Sequence, residues 1–165
     1  PGNPDAIHRH LAFVLSPGRT RDYVYRVLGD RALIATRAIF KNLREIASAT
    51  PGEIPETGVL RGWVCPRRHA CQTSDLAIWC IKAGKRAGLS LQGGVEVRKA
   101  PPLRVHANRV NREWVSAWSV QFGYRVLDPE PFSRFLVEGS GRYKAFGIGM
   151  FIPDFVFQAM NQRAA

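Results

Sequence analysis

The element order legible in this sequence predicts an α+β protein with antiparallel sheets, and three observations carry that expectation. Runs rich in β-branched and aromatic residues alternate with apolar stripes of helical period. Clusters of Gly and Pro separate them. The second half of the chain then follows the order strand, helix, strand, strand, helix, strand, in which two βαβ units split across one antiparallel sheet, the ferredoxin-like or RRM-like arrangement. The first half offers helix, strand, strand, a short ambiguous piece and strand, and one leading strand ahead of Pro1 would make it the same fold. The expectation is therefore tandem ferredoxin-like domains, 1–52 and 53–165, divided within the breaker-rich run Thr50-Pro51-Gly52-Glu53-Ile54-Pro55-Glu56-Thr57-Gly58.

Elements follow in order. Asn3-Pro4-Asp5 has the pattern of a helix start, with Asn3 as N-cap and Pro4 at the first helical position. Ile7, Leu11, Val14 and Leu15 fall on one stripe that Ser16-Pro17-Gly18 ends. His8 sits at the edge of that stripe, with Asp5 one turn earlier at the i, i+3 spacing. Taken alone, such a histidine is a boundary residue with no chemistry of its own. Tyr23–Leu28 and Arg31–Thr36 are separated only by Gly29-Asp30, a tight hairpin signal.

Val59 to Cys65 alternates as a strand. Ser74 is placed as the cap of a helix whose stripe is Leu76, Trp79, Cys80, Ala83 and Ala87, closed by Gly88. Gly93-Gly94 is expected to open a strand over 95–99, which Pro101-Pro102 interrupts. A run from Leu103 to Ala107 leads through a basic turn into a long return strand, 113–127, with Trp114, Ser116, Trp118, Val120 and Phe122 on one face. Trp114, Trp118, Phe132 and Phe135 are expected in the core. Asp128-Pro129-Glu130-Pro131 starts a last helix that Gly139 stops, and the alternation from Ala145 to Phe151 predicts a final strand ending at Pro153.

Composition narrows the partner. At 45% hydrophobic and 22% charged, the 165 residues can bury a core, and a formal net charge of +11 favours a polyanion, nucleic acid above all, because counterions released from phosphates drive binding. No long apolar run or lysine-rich amphipathic helix supports a membrane partner. Three cysteines cannot all pair, and no secretory pattern opens the sequence, so a reducing cytoplasm is expected. Cys65, His69, Cys71 and Cys80 match no common zinc spacing, so buried free thiols are expected, with no metal and no cofactor.

Between the last helix and the last strand lies Glu138-Gly139-Ser140-Gly141-Arg142-Tyr143-Lys144-Ala145-Phe146-Gly147-Ile148-Gly149, in which four glycines frame an arginine and a lysine. Glycine admits positive φ and close backbone approach, so the N–H groups of Gly139 to Arg142 suit a phosphate while Arg142 and Lys144 supply charge. A tight turn between helix and strand is the plain alternative. Arg98, Lys99, Arg104, Arg109 and Arg112, on and near the long hairpin, suit the phosphates of an RNA stem. The plain alternative there is a solvated basic edge that keeps strands of different molecules from pairing.

The segment from Asp128 through Phe135-Leu136-Val137-Glu138-Gly139-Ser140-Gly141-Arg142 to Met150 resembles the carboxyl end of the CRISPR repeat-processing endoribonucleases of the RAMP superfamily, and is most similar to the CasE type that serves Cascade complexes. Asp5-Ala6-Ile7-His8-Arg9-His10-Leu11 resembles that family's first helix, and Gly58-Val59-Leu60-Arg61-Gly62-Trp63-Val64 the strand opening its second domain. The resemblance implies a pair of ferredoxin-like domains that bind the repeat hairpin of a precursor CRISPR RNA and cut at its 3′ base by attack of a 2′-hydroxyl, without metal. It implies His8 as the catalytic histidine, and Gly139, Gly141, Arg142 and Lys144 as RNA contacts. Relatives often place a tyrosine one turn before the histidine, where this chain has Asp5, so Tyr23, Tyr25 or Lys144 becomes the candidate to stabilise the phosphate.

Two other readings share these residues. One is a non-catalytic RAMP subunit that holds CRISPR RNA beside other subunits of an effector complex. The other is a plain RNA-recognition-motif protein, since Lys144 to Phe151 partly echoes that signature. In such a protein the signature lies on the third strand, and only fourteen residues follow Phe151.

Overall fold

The computed structural model describes residues 23–28, 31–36, 53–65, 73–106, 112–144 and 148–162. The expected first helix with His8, the segment 37–52, His69, Cys71 and Arg109 lie outside them. β1 (Tyr23–Leu28) and β2 (Arg31–Thr36) pair antiparallel with Leu28 opposite Arg31, so the connection is the two residues expected.

A second unit runs β3 (Thr57–Val64), α1 (Thr73–Arg86), β4 (Leu89–Lys99), β5 (Leu103–His106), β6 (Arg112–Val115), β7 (Trp118–Val126), α2 (Pro129–Glu138), β8 (Phe151–Pro153) and α3 (Asp154–Gln162). Its sheet has the order β4-β7-β3-β8 with every pair antiparallel. β5 and β6 form a separate two-stranded arm inserted between β4 and β7. With the arm set aside, β3-α1-β4-β7-α2-β8 in that strand order is the split βαβ arrangement.

Local sequence explains the two helices of the core. α1 starts at Thr73, one residue before the expected cap, and buries Leu76, Cys80 and Ala83 on one stripe. Gly88, at φ +69, ends it; its carbonyl accepts the N–H groups of Leu127 and Asp128 and so ties α1 to the entrance of α2. Asp128 caps α2 by accepting the N–H of Glu130 at 3.2 Å, and Gly139 ends the helix. Leu60, Val64, Val120, Phe122 and Tyr124 of the sheet meet Leu76 and Cys80 of α1 and Phe132, Phe135 and Leu136 of α2. The rings of Phe135 and Phe151 stand 4.8 Å apart, and the buried Tyr124 hydroxyl donates to the Pro55 carbonyl at 3.1 Å.

Four expectations are corrected. Gly93-Gly94 does not open a strand: β4 is continuous from Leu89, and the pair forms an irregularity between Gln92 and Val95 in the β7 register. The long return strand is broken at Ser116-Ala117, and the break changes which parity faces inward. Val115 before the break and Ala117 within it are buried, as are Val120, Phe122 and Tyr124 after it, so Trp114 is exposed rather than in the core. Trp118 is half-buried against the core, while Phe132 and Phe135 lie in it as expected. The last strand is three residues long, because Ile148 and Gly149 form a turn.

The fourth correction is α3, which the sequence reading did not contain. Val156 and Phe157 pack against Met150 and Ile152, and Arg61 Nε bonds Asp154 Oδ1 at 2.5 Å with its guanidinium 5.3 Å from the Phe157 ring. Arg61 and Ile152 are register partners, one position out of phase with the buried Leu60 and Gly62, so α3 covers the sheet face opposite α1 and α2. No described helix is long and apolar enough to cross a membrane.

Leu60 is fully buried at the sheet centre, and Leu60→Ala is expected to lower unfolding stability by about 2–5 kcal/mol in urea titrations. Ile78, half exposed on α1, should change it by less than about 0.5 kcal/mol when replaced by Ala. Burial pushes the Cys80 thiol from 9.0 up to about 12. The native state therefore holds this proton more tightly than the unfolded chain, so the contribution is complete below pH 9.0 and is lost as pH rises toward 12. Stability measured across that window should fall less steeply for Cys80→Ala than for the wild type.

Candidate nucleic-acid interface

The glycine-rich segment is a closed loop with a narrow neck. Gly139 N–H donates to Phe135 O at 2.9 Å, Ser140 N–H to Gly149 O at 2.7 Å, and Gly149 N–H to Trp63 O at 2.5 Å. One side of the neck is thereby the end of α2 and the other is strapped to β3. Gly139 and Gly149 have φ of +65 and +88, and neither position has room for a side chain: a Cβ on Gly139 would lie 2.5 Å from the Gly149 carbonyl oxygen, and one on Gly149 would run into the carbonyl of Ser140. The aliphatic stem of Lys144 lies over both, its Cδ 3.4 Å from the Cβ that Gly139 lacks. Gly141 rests against the Trp79 indole of α1, which fastens the loop at a third point.

Arg142 is exposed at the tip with its guanidinium 5.3 Å from the centre of the Tyr143 ring. Tyr143 takes a left-handed conformation, φ +59, uncommon for a bulky residue. It packs against a small second core made of Ala100, Val115, Ala117 and Ile148, with Cys65 beside it. That cluster is the hinge of the site. Ile148 comes from the loop, whereas Ala100, Val115 and Ala117 are the base of the β5–β6 arm, closed by the Ala100 N–H to Ala117 O bond of 3.0 Å.

Loop and arm therefore share one end of the sheet. Gly139, Gly141, Arg142 and Lys144 are brought together there, and Arg98 and Lys99 end β4 just before Ala100. Arg98 is exposed and pairs with Glu96 at 3.5 Å, a solvated contact of little energetic weight. Arg104 and Arg112 belong to the arm by backbone position, opposite Trp114 and His106. Tyr23 is the first residue of β1, and the β1–β2 hairpin runs beside α2. Among the described residues no group of three His, Cys, Asp or Glu side chains could hold a metal ion.

Sequence reasoning found the loop's glycines and cations and missed their supports. Trp79 is read from the sequence as a member of the α1 stripe and Tyr143 as one residue of the loop, and neither reading contains the contact each makes with the loop or its core. The Trp63 carbonyl and the Gly149 neck carried no signal, because both act through tertiary contacts.

The family model described as CRISPR associated protein matches residues 54–152, which takes in β3 through the first two residues of β8 and the whole loop. No curated protein matches. Among solved structures, the CRISPR endoribonuclease Cse3 bound to a 19 nt RNA aligns with a TM-score of 0.66 at 19% identity, covering 92% of this chain and 90% of that one. The CRISPR-associated protein Cas6e from Escherichia coli K-12 aligns with a TM-score of 0.66 at 9% identity over 92% and 91% of the two chains. A chain of a CRISPR RNA-guided surveillance complex aligns with a TM-score of 0.66 at 14% identity over 91% and 89%. At these identities the likeness establishes the fold, and the family model, spanning well over half of the sequence, establishes that this chain belongs to the CRISPR-associated proteins.

Proposed function

We propose that this protein is a metal-independent endoribonuclease that binds the repeat hairpin of precursor CRISPR RNA and cleaves at its 3′ base, with tandem ferredoxin-like domains 1–52 and 53–165. The observation that carries the reading is the shared core of loop and arm, which gathers cations from two distant parts of the sequence at one end of the sheet. A polyanion held there meets backbone turned by glycine and charge from Arg142 and Lys144, with Arg98 and Lys99 at the end of β4 nearby; Arg104, Arg109 and Arg112 are assigned to the same RNA as further contacts. Recognition of an A-form stem by these groups rests on phosphate position and shape, because side chains cannot read its deep, narrow major groove.

In the reaction the ribose 2′-oxygen attacks the adjacent phosphorus in line, the bond to the 5′-oxygen breaks, and the products are a cyclic phosphate and a 5′-hydroxyl. His8 takes the proton of the nucleophile or gives one to the leaving oxygen, either role worth about 10²–10⁴-fold. Lys144, or Tyr23 from the first hairpin, balances the charge that builds on the phosphorane. One well-placed donor contributes about 3–4 kcal/mol in comparable sites. Likeness to a chain of a surveillance complex favours a second reading, a subunit that holds the RNA beside other subunits without cutting it.

Incubation with a hairpin repeat RNA in the presence of a chelator separates the two. Cleavage should proceed in chelator, stop when a 2′-deoxy residue replaces the nucleophile, and fall by about 10²-fold or more in His8→Ala with hairpin affinity retained. Tight binding without cleavage by the wild type would instead select the holding subunit. Gly149→Ala, which drives a Cβ into the neck, should weaken hairpin binding and lower stability more than Gly141→Ala, which meets only an ordinary 3.5 Å contact with Trp79 at its own positive φ. Filter binding and urea unfolding of the two variants check the order.

A further inference from the structure

Trp114 stands out on the arm. It is 65% exposed, whereas the next residue, Val115, is 4% exposed and belongs to the core that joins arm to loop. The register of the arm sets Leu103 opposite Val115, Arg104 opposite Trp114, Val105 opposite Glu113 and His106 opposite Arg112. Residues directly opposite share a face and successive residues alternate. Leu103 and Val115 are thus on the face that meets the loop. Trp114 is on the other face, the one to which the backbone also assigns Arg104, His106 and Arg112.

Trp114 presents a large, exposed, flat apolar ring, and the backbone register sets two arginines and a histidine on the same two short strands. That pairing matches a nucleotide, whose base offers a π face and whose flanking phosphates offer charge. The formal net charge of +11 favours this occupant over an acidic protein of no particular shape. Inside a duplex each base is already stacked on both sides. An indole can therefore stack only where a base is unpaired or splayed.

We propose that Trp114 stacks on an unpaired base adjoining the stem of the bound RNA, with the arm held along the flanking phosphates by Arg104 and Arg112. The inference rests on the RNA-binding part of the function proposed above, and it needs no cleavage. It assigns the face of the arm that carries Trp114 to single-stranded nucleotides next to the stem, leaving the paired region to the loop and to Arg98 and Lys99.

Two RNAs of one stem test it, the first with ordinary unpaired nucleotides in its flanks and loop, the second with abasic nucleotides at those positions. Trp114→Ala should weaken binding of the first by about fivefold to a hundredfold and change binding of the second by less than about twofold, while Trp114→Phe keeps most of the affinity. Intrinsic tryptophan fluorescence should be quenched by the first RNA in the wild type and less so in Trp114→Ala. Equal losses on both RNAs would overturn the proposal, since they would mean that Trp114 supports the arm or meets the duplex. No loss on either would also overturn it and leave this face to a protein partner. If the wild type binds neither RNA, the proposal and the function fail together; if it binds and cuts while Trp114→Ala behaves as wild type, only the stacking is rejected.

Discussion

Much of this molecule depends on a contact between two glycines. The neck of the loop closes because Gly139 and Gly149 let the chain cross itself at a distance where any Cβ would collide with a carbonyl, and the bond from Ser140 to Gly149 seals the crossing. Closing the neck does three things at once. It ends α2 where Phe135 must meet Phe151, it brings Ile148 into the small core of Ala100, Val115 and Ala117, and it lays the Lys144 stem along the outside of the crossing. A lysine held by its stem keeps its charge in a defined place at little entropic cost, because much of the rotamer freedom is already spent on packing. The positively charged end of the sheet is thus a consequence of backbone geometry before it is one of composition.

The small core has a role out of proportion to its size. The arm is a two-stranded ribbon, and such ribbons are marginal alone in water. Its base is anchored by Val115 at the end of one strand, Ala117 just past it and Ala100 ahead of the other, all against Ile148 and Tyr143 of the loop. Loop and arm are accordingly coupled: disorder at the neck removes Ile148 from beneath the arm. Two surfaces that sequence separates by some forty residues form one packed unit for that reason.

How much of this could be read from the sequence follows from where the information resides. The ends of α1 and α2 were legible because capping is local: Gly88, Asp128-Pro129 and Gly139 act within a few residues of themselves. The hairpin of β1 and β2 was legible for the same reason. Gly93-Gly94 was misread because a glycine pair looks alike at the start of a strand and inside one, and only the register with β7 distinguishes them. Trp114 was misplaced by carrying alternation through Ser116-Ala117, where the chain leaves one sheet for another and the inward parity changes. Of the candidate site, Gly139, Gly141, Arg142 and Lys144 announced themselves by composition, while the supports of Trp79, Tyr143 and the Trp63 carbonyl exist only once the chain has folded.

Among the described residues the sheet is bounded by β4 on one side and β8 on the other, and each is spoiled as a template in a different way. β4 carries an irregularity at its double glycine that interrupts an even row of donors and acceptors. β8 spans three residues, ends in a proline and turns at once into a helix pinned by Arg61. Neither margin offers the long flat row that strands of a second copy need, so a concentrated solution of this cationic protein is protected against polymerising through its sheets.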